Sequence, residues 1–218
     1  MIKEAIFIST KVVTISVFIT LIISIASLRF ILKKNTKIRK LIETIIILPM
    51  FIPPSAIGYL ILLICGKNGP IGKMVKYVFN TSIIFTISAA IIASIIVTIP
   101  IMYQSIKTSI LSVDKEVKEA AMICGANNFQ IFTRIILPLS KRGILTGILL
   151  SFARAFGEFG ATILVAGNIQ GKTQTIPMAM YYAIENNNTK EAIEILIIVF
   201  IVAISLMSLH NYLIKKYD

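Results

Sequence analysis

EAAMICGANNFQIFTRIILP, residues Glu119 to Pro138, is the longest polar interval between hydrophobic segments that carries a pattern of its own. Glu119, Ala120 and Ala121 are followed after three residues by Gly125, and after nine more by Ile135, with Leu137 and Pro138 closing the stretch. Asp114 to Cys124 reads as a short helix, with Asp114 at its N-cap and Glu116 in the first turn, where an acid complements the helix dipole. Gly125 can end or bend that helix, because glycine tolerates left-handed backbone. Asn127, Asn128 and Phe129 would start a second short helix, and Pro138 marks the approach to the next apolar run. A helical hairpin carrying the small residues Ala120, Ala121 and Gly125 invites another protein to pack closely on it. A solvated connector does not explain why small and apolar residues sit among the charges.

What flanks the interval sets the class. The 218 residues are 56% hydrophobic and only 15% charged, whereas soluble domains are about 45–50% apolar and about 25% charged. So much apolar surface cannot be hidden in water by a chain this long, and an integral membrane protein is expected. Charges punctuate the apolar runs: none falls between Lys11 and Arg29, between Glu43 and Lys67, or between Lys76 and Lys107. Residues 143–171 are interrupted only by Arg154 and Glu158, and a last run separates Glu194 from Lys215. A crossing helix needs about 20 mostly apolar residues. The expectation is an all-α polytopic protein with about five transmembrane helices, roughly 6–31, 42–65, 82–105, 143–167 and 191–214. They form one domain over 1–218, core about 6–214, with the Glu119 stretch in a loop over 106–142. No linker, internal repeat, heptad or nucleotide-binding glycine loop divides it. The first segment lacks a small-residue cleavage site and reads as a retained helix rather than a signal peptide.

Lysine and arginine distribution orients the spans. Arg29, Lys33, Lys34, Lys37, Arg39, Lys40, Lys107, Lys115, Lys118, Arg134, Lys141, Arg142, Lys215 and Lys216 fall on one side. Only Lys3, Lys11, Lys67, Lys73, Lys76, Lys172 and Lys190 fall on the other, and Arg154 lies within a span. The bias places the Glu119 loop and the C-terminus in the cytoplasm and the N-terminus outside. The net charge of +12 is thereby explained by topology. With no Trp and no aromatics interleaved among the cations, nucleic acid is not an expected partner.

Pro49, Pro53 and Pro54 sit inside the second run, where lost donors and ring clashes predict a kink or a broken helix. Such a break is either a packing kink or a wall of a path. Residues 66–81 read as a turn plus a short surface helix, and 176–184 as a helix in the interface or dipping partway back. Cys65 and Cys124 show no metal or redox spacing and read as buried small apolar residues on opposite sides of the membrane.

The inventory of reactive groups excludes the usual enzymes. His210 is the only histidine, and there is no Gly-x-Ser-x-Gly elbow, His-Glu-x-x-His motif, P-loop or metal-ligating set. Arg154 and Glu158, four apart in SFARAFGEFGAT, are the charged pair inside a span and can meet on one helix face. Each would cost about 2.5–3.5 kcal/mol at the centre of an isolated inserted helix, so they are expected to pair or to face water. They read either as a structural ion pair or as a polar element beside an anion's path. Gly157 and Gly160 flank Glu158 and allow close approach to a neighbouring helix.

The spacing EAA-x3-G-x9-I-x-LP resembles the cytoplasmic coupling motif of permeases of binding-protein-dependent ABC importers. Glu119, Ala120, Ala121, Gly125, Ile135, Leu137 and Pro138 meet every fixed position. The resemblance implies a type I ABC importer transmembrane domain whose coupling helices dock in a groove of a separate ATPase subunit. At a narrower level, LPMFIPPSAIGYLILLICGKNGPIG and SFARAFGEFGATILVAGNIQGKTQTIPMAMY look like molybdate permease subunits; with the coupling loop, the resemblance covers most of 40–185. Sulfate and tungstate permeases carry similar Arg-Ala-x-Gly-Glu segments. What it implies is the non-catalytic transmembrane subunit of a molybdate importer in a bacterial or archaeal plasma membrane. Two copies would line the pathway, ATP and Mg would be held by the ATPase partners, and an extracytoplasmic binding protein would deliver the oxyanion. Tungstate, sulfate or another oxyanion is the alternative cargo. An unrelated membrane enzyme or scaffold is the alternative class.

Overall fold

The computed structural model describes residues 2–31 and 36–216, and among them every regular element is a helix. In order these are α1 (Ile2–Ile31), α2 (Thr36–Ile47) with a 3-10 turn (Leu48–Met50), α3 (Pro54–Cys65), α4 (Pro70–Phe79), α5 (Ile87–Leu111) and α6 (Lys115–Ile123). Then come α7 (Asn128–Ile131), a π-turn (Phe132–Ile136), α8 (Leu137–Leu139), α9 (Lys141–Phe156), α10 (Gly160–Ala166), α11 (Ile176–Glu185) and α12 (Thr189–Lys216). Lys33 and Lys34, counted in the charge bias, lie outside the described residues.

Among the described residues three helices, α1, α5 and α12, are long and apolar enough to cross a membrane unaided, and two bent pairs pass the same test together, giving up to five crossings if each pair is one span. One pair is α2 with its 3-10 turn and α3, bent by 110°; the other is the 128–139 segment and α9, bent by 68°. The protein is therefore an all-α, multi-pass membrane protein. The first bend has a local cause. Pro53 has ψ of 135° and Pro54 opens α3 at a position needing no donor, so the α2 helix cannot run through them. Pro49 sits in the 3-10 turn just before.

The expected spans shift in detail. The third runs Ile87–Leu111 rather than 82–105, so Lys107 belongs to α5, not to the loop, and pairs with Glu43 at 2.9 Å. The fourth, expected as one helix over 143–167, stops at Phe156 and restarts at Gly160. Cys65 is buried as expected, but Cys124 is exposed, because it ends α6 at the loop tip. The 66–81 segment does hold a surface helix, α4.

Two apolar clusters lie end to end along α1 and α5. One gathers Ile8, Ile57, Ile61, Ala89, Ala93, Ala161 and Val165 from α1, α3, α5 and α10. The other gathers Val17, Leu28, Met102, Ile106 and Ala155 around α1, α5 and α9. Hydroxyls tie α1 to α5: Ser16 Oγ meets Ser94 Oγ at 3.0 Å, and Thr20 Oγ1 meets Thr98 Oγ1 at 3.2 Å. These rungs lie four residues apart on both helices, hence on one face of each. Such bonds between membrane helices are worth about 0.6 kcal/mol each. α5 and α9 approach closely where a Cβ on Gly143 would collide with Ser109, and Ser105 Oγ donates to the Gly143 carbonyl at 2.9 Å. α12 keeps Phe200, Ile204 and Met207 exposed, an outer face suited to acyl chains.

Candidate functional site

The Glu119 stretch folds as a tight helical hairpin, and its local chemistry accounts for every turn. Gly125 has φ of +82°, and its N–H donates to the Met122 carbonyl while Ala126 N–H donates to that of Ala121, both at 3.0 Å. This is the Schellman ending of a helix, which places glycine at its left-handed position. One residue later Asn127 Oδ1 accepts from the N–H groups of Phe129 and Gln130, and Gln130 Oε1 accepts from Asn127 N–H at 2.9 Å. That reciprocal capping box starts α7. Four residues, Cys124 to Asn127, thus join α6 to α7, with the Schellman bonds closing one helix and the capping box opening the next.

The motif residues separate into two places. Glu119, Ala120 and Gly125 are exposed and Ala121 half-buried at the tip, where Glu119 pairs with the exposed Lys115 at 3.2 Å. Ile135 and Leu137 are half-buried at the base, where Leu137 packs on the second apolar cluster. Pro138 lies in α8, directly after the π-turn. The widened turn falls where the proline ring would otherwise meet the Arg134 carbonyl. Three neighbours enter the site without being singled out by the motif. Gln130 closes the capping box, Ile123 projects from the tip at 88% exposure, and Arg29 at the end of α1 stacks on the Phe129 ring at 4.4 Å. Ser/Thr/Asn/Asp-x-x-Gln/Glu spacing is the signal that could have found the first.

The second group lies at the break between α9 and α10. Arg154 Nη1 is 2.7 Å from Glu158 Oε2, so the pair forms although only Arg154 is helical. The contact is a short ion pair rather than an aligned hydrogen bond. Glu158 Oε1 meanwhile accepts from the Ala161 N–H at 2.8 Å, capping the first turn of α10. The Glu158 side chain is 2% exposed and that of Arg154 31%, so the carboxylate is buried and the cation faces outward.

The break before α3 and the break before α10 lie close together. A Cβ on Gly160 would lie 3.1 Å from Pro54 Cβ, and one on Gly58 would lie 2.9 Å from the Ala161 backbone. Gly157 has no such neighbour. Farther along, an open cavity of about 640 Å³ follows the α5–α9 groove past Gln104, Thr108, Arg142 and Thr146. Among the described residues no set of three His, Cys, Asp or Glu side chains is gathered as a metal site.

Residues 12–218 match the family model described as binding-protein-dependent transport system inner membrane component. The molybdenum transport system permease protein ModB of Haemophilus influenzae is 39% identical over 206 residues, 94% of this chain and 90% of that protein. YvgM of Bacillus subtilis is 45% identical over 147 residues, 67% of this chain, and the match spans 65% of YvgM's length. The sulfate permease CysW of a Synechocystis strain is 35% identical over 82% of this chain and 64% of its own length. Among solved structures, a bacterial alginate ABC transporter bound to its periplasmic protein has a chain of the same fold, with TM-score 0.78 and 18% identity, covering 98% of this chain and 78% of that one. The MetNI methionine ABC transporter, inward-facing, offers another, with TM-score 0.77 and 14% identity, covering 98% of this chain and 94% of that one.

Proposed function

The chain belongs to the family of binding-protein-dependent transport system inner membrane components, the permease subunits of ABC importers, and from that premise we propose that it carries molybdate. The observation that supports this cargo is the 39% identity to a molybdenum permease across 94% of the chain. Sulfate is the second reading, supported by the 35% identity to a sulfate permease, with tungstate as a further tetrahedral oxyanion.

On this reading the chain catalyses nothing itself. Two copies enclose the pathway, each presenting the α5–α9 groove, largely apolar with Gln104, Thr108 and Thr146 among its lining, to the other. The hairpin faces the cytoplasm, with the N-terminus outside and the C-terminus inside. Glu119, Ala120, Ala121 and Gly125, with Ile123 as the apolar knob, dock on an ATPase subunit that holds ATP and Mg. Ile135, Leu137 and Pro138 join the hairpin rigidly to α9, so a push on the tip is carried into the membrane. ATP-driven closure of the ATPases then shifts the pathway from inward- to outward-facing, where an external binding protein delivers the oxyanion. Such a shift needs differential contact with the two states, and the docked hairpin supplies it. Arg154 and Glu158 act as a structural clamp across the α9–α10 break, because the Glu158 carboxylate is committed to both Arg154 and the α10 cap.

ATPase activity of the reconstituted complex, with its binding protein, is compared in molybdate, tungstate and sulfate. Molybdate stimulation is expected to be the largest. Stimulation by sulfate alone would transfer the assignment to sulfate, and an ATPase that never co-purifies would remove the coupling role.

A further inference from the structure

We propose that the cavity between the end of α1 and the α6–α7 hairpin binds an anionic phospholipid, its phosphate on Arg29 and Lys118. The cavity measures about 400 Å³: Arg29 and Lys118 supply two cations and Asn128 an amide, while Met122, Ile131, Phe132 and Ile136 supply an apolar surface. Among the described residues neither cation forms an ion pair with a carboxylate. Arg29 lies with its guanidinium carbon 4.4 Å from the centre of the Phe129 ring. A guanidinium held over a ring still carries N–H donors that suit a phosphate.

Depth agrees with a headgroup. Between Lys11 and Arg29 α1 carries no charge, and at 1.5 Å per residue that stretch runs about 27 Å, close to the hydrocarbon thickness of about 30 Å. Arg29 therefore closes the apolar stretch at the level of a headgroup layer. A free oxyanion would find two cations and one amide beside four apolar side chains it cannot use, whereas a phospholipid matches both the polar and the apolar lining. A basic pocket between membrane helices beside the headgroup layer is the chemistry that selects anionic lipids. Because Lys118 belongs to α6 and Phe129 to α7, the bound lipid would brace both hairpin helices against α1. That last consequence rests on the coupling role of the hairpin; the site itself requires only that the chain span the membrane.

The test uses the full-length permease reconstituted in mixed phosphatidylglycerol and phosphatidylcholine vesicles, then released and examined by native mass spectrometry for retained lipid. Retained phosphatidylglycerol is expected in the parent protein and in R29K/K118R. In R29Q/K118Q its affinity should fall about thirtyfold, each basic contact near the surface being worth roughly a factor of five. The control K73Q/K76Q removes the same charge from α4 and should retain the lipid. Equal retention in R29Q/K118Q and the parent would overturn the proposal. So would saturable displacement of the lipid by inorganic phosphate or molybdate, which assigns the cavity to a free anion, or its expulsion when the ATPase subunits bind. Transport and ATPase co-purification are not read in this experiment, so its failure leaves the permease reading standing.

Discussion

Removing either member of the Arg154–Glu158 pair separates a structural clamp from an anion path. Glu158→Ala deletes two contacts at once, the 2.7 Å ion pair and the 2.8 Å cap on Ala161 N–H. Losing one partner of a buried pair costs about 3–5 kcal/mol. Arg154 is 31% exposed, which discounts that loss to about 2–3 kcal/mol, and loss of a helix cap adds about 1 kcal/mol. Glu158→Ala should therefore destabilise by about 3–4 kcal/mol. Glu158→Gln keeps an oxygen to accept from Ala161 and should lose only about 2–3 kcal/mol, the difference isolating the cap. Arg154→Ala leaves the buried carboxylate without its cation and should lose about 2–3 kcal/mol as well. The assay is thermal unfolding of the detergent-purified permease, where each kcal/mol corresponds to about 2–4 °C for a chain of this length. A double-mutant cycle between Arg154→Met and Glu158→Gln should show coupling above about 1 kcal/mol. If Arg154→Ala assembles and melts like the parent while oxyanion-stimulated ATPase activity falls, the clamp reasoning is refuted and Arg154 belongs to the path.

The remaining predictions concern the hairpin and the helix contacts behind it. At Gly125 nothing lies within 4 Å of a built Cβ although φ is +82°; Gly125→Asp therefore adds only about 1–2 kcal/mol of backbone strain, and should insert and fold yet lose both ATPase co-purification and oxyanion uptake. Ile123→Ser changes a side chain that is 88% exposed, so permease melting should stay within about 0.5 kcal/mol of the parent while stimulated ATPase activity drops. Gly143→Ala should destabilise by about 1–3 kcal/mol, because its Cβ overlaps Ser109, whereas Gly147→Ala, with 3.1 Å to Ser105 Cβ, should cost less in the same melting assay. Glu43→Gln removes the partner of both Arg39 and Lys107, which it holds at 3.0 and 2.9 Å, and should lower the unfolding temperature by several degrees, with Lys107→Gln adding little more.

Features set by contiguous residues were legible in the sequence, and those set by distant contacts were not. Uninterrupted apolar runs are enough to place α1, α5 and α12, because crossing depends on length and composition. The hairpin was legible for a different reason. A Schellman ending and a capping box are built within ten residues, and Gly125, Asn127 and Gln130 carry them wherever the chain goes. The bend before α3 is equally local, since Pro53 and Pro54 lack donors and restrict their neighbours. The break at Gly157 is not of this kind. Ala-Phe-Gly-Glu-Phe-Gly sits in an apolar run, and glycine there is as compatible with tight helix packing as with a helix end. What distinguishes the two is Pro54, far away in the chain, against which Gly160 packs. Glu158 then caps the restarted helix from inside the break. Read physically, the break before α3 and the break before α10 belong to one contact: α3, which starts at its prolines, lies against α10 so closely that a side chain at Gly58 would meet the Ala161 backbone. The charged pair that looked like an intrusion in a straight span is instead what a terminated span requires, a carboxylate for the new helix start and a cation to hold it.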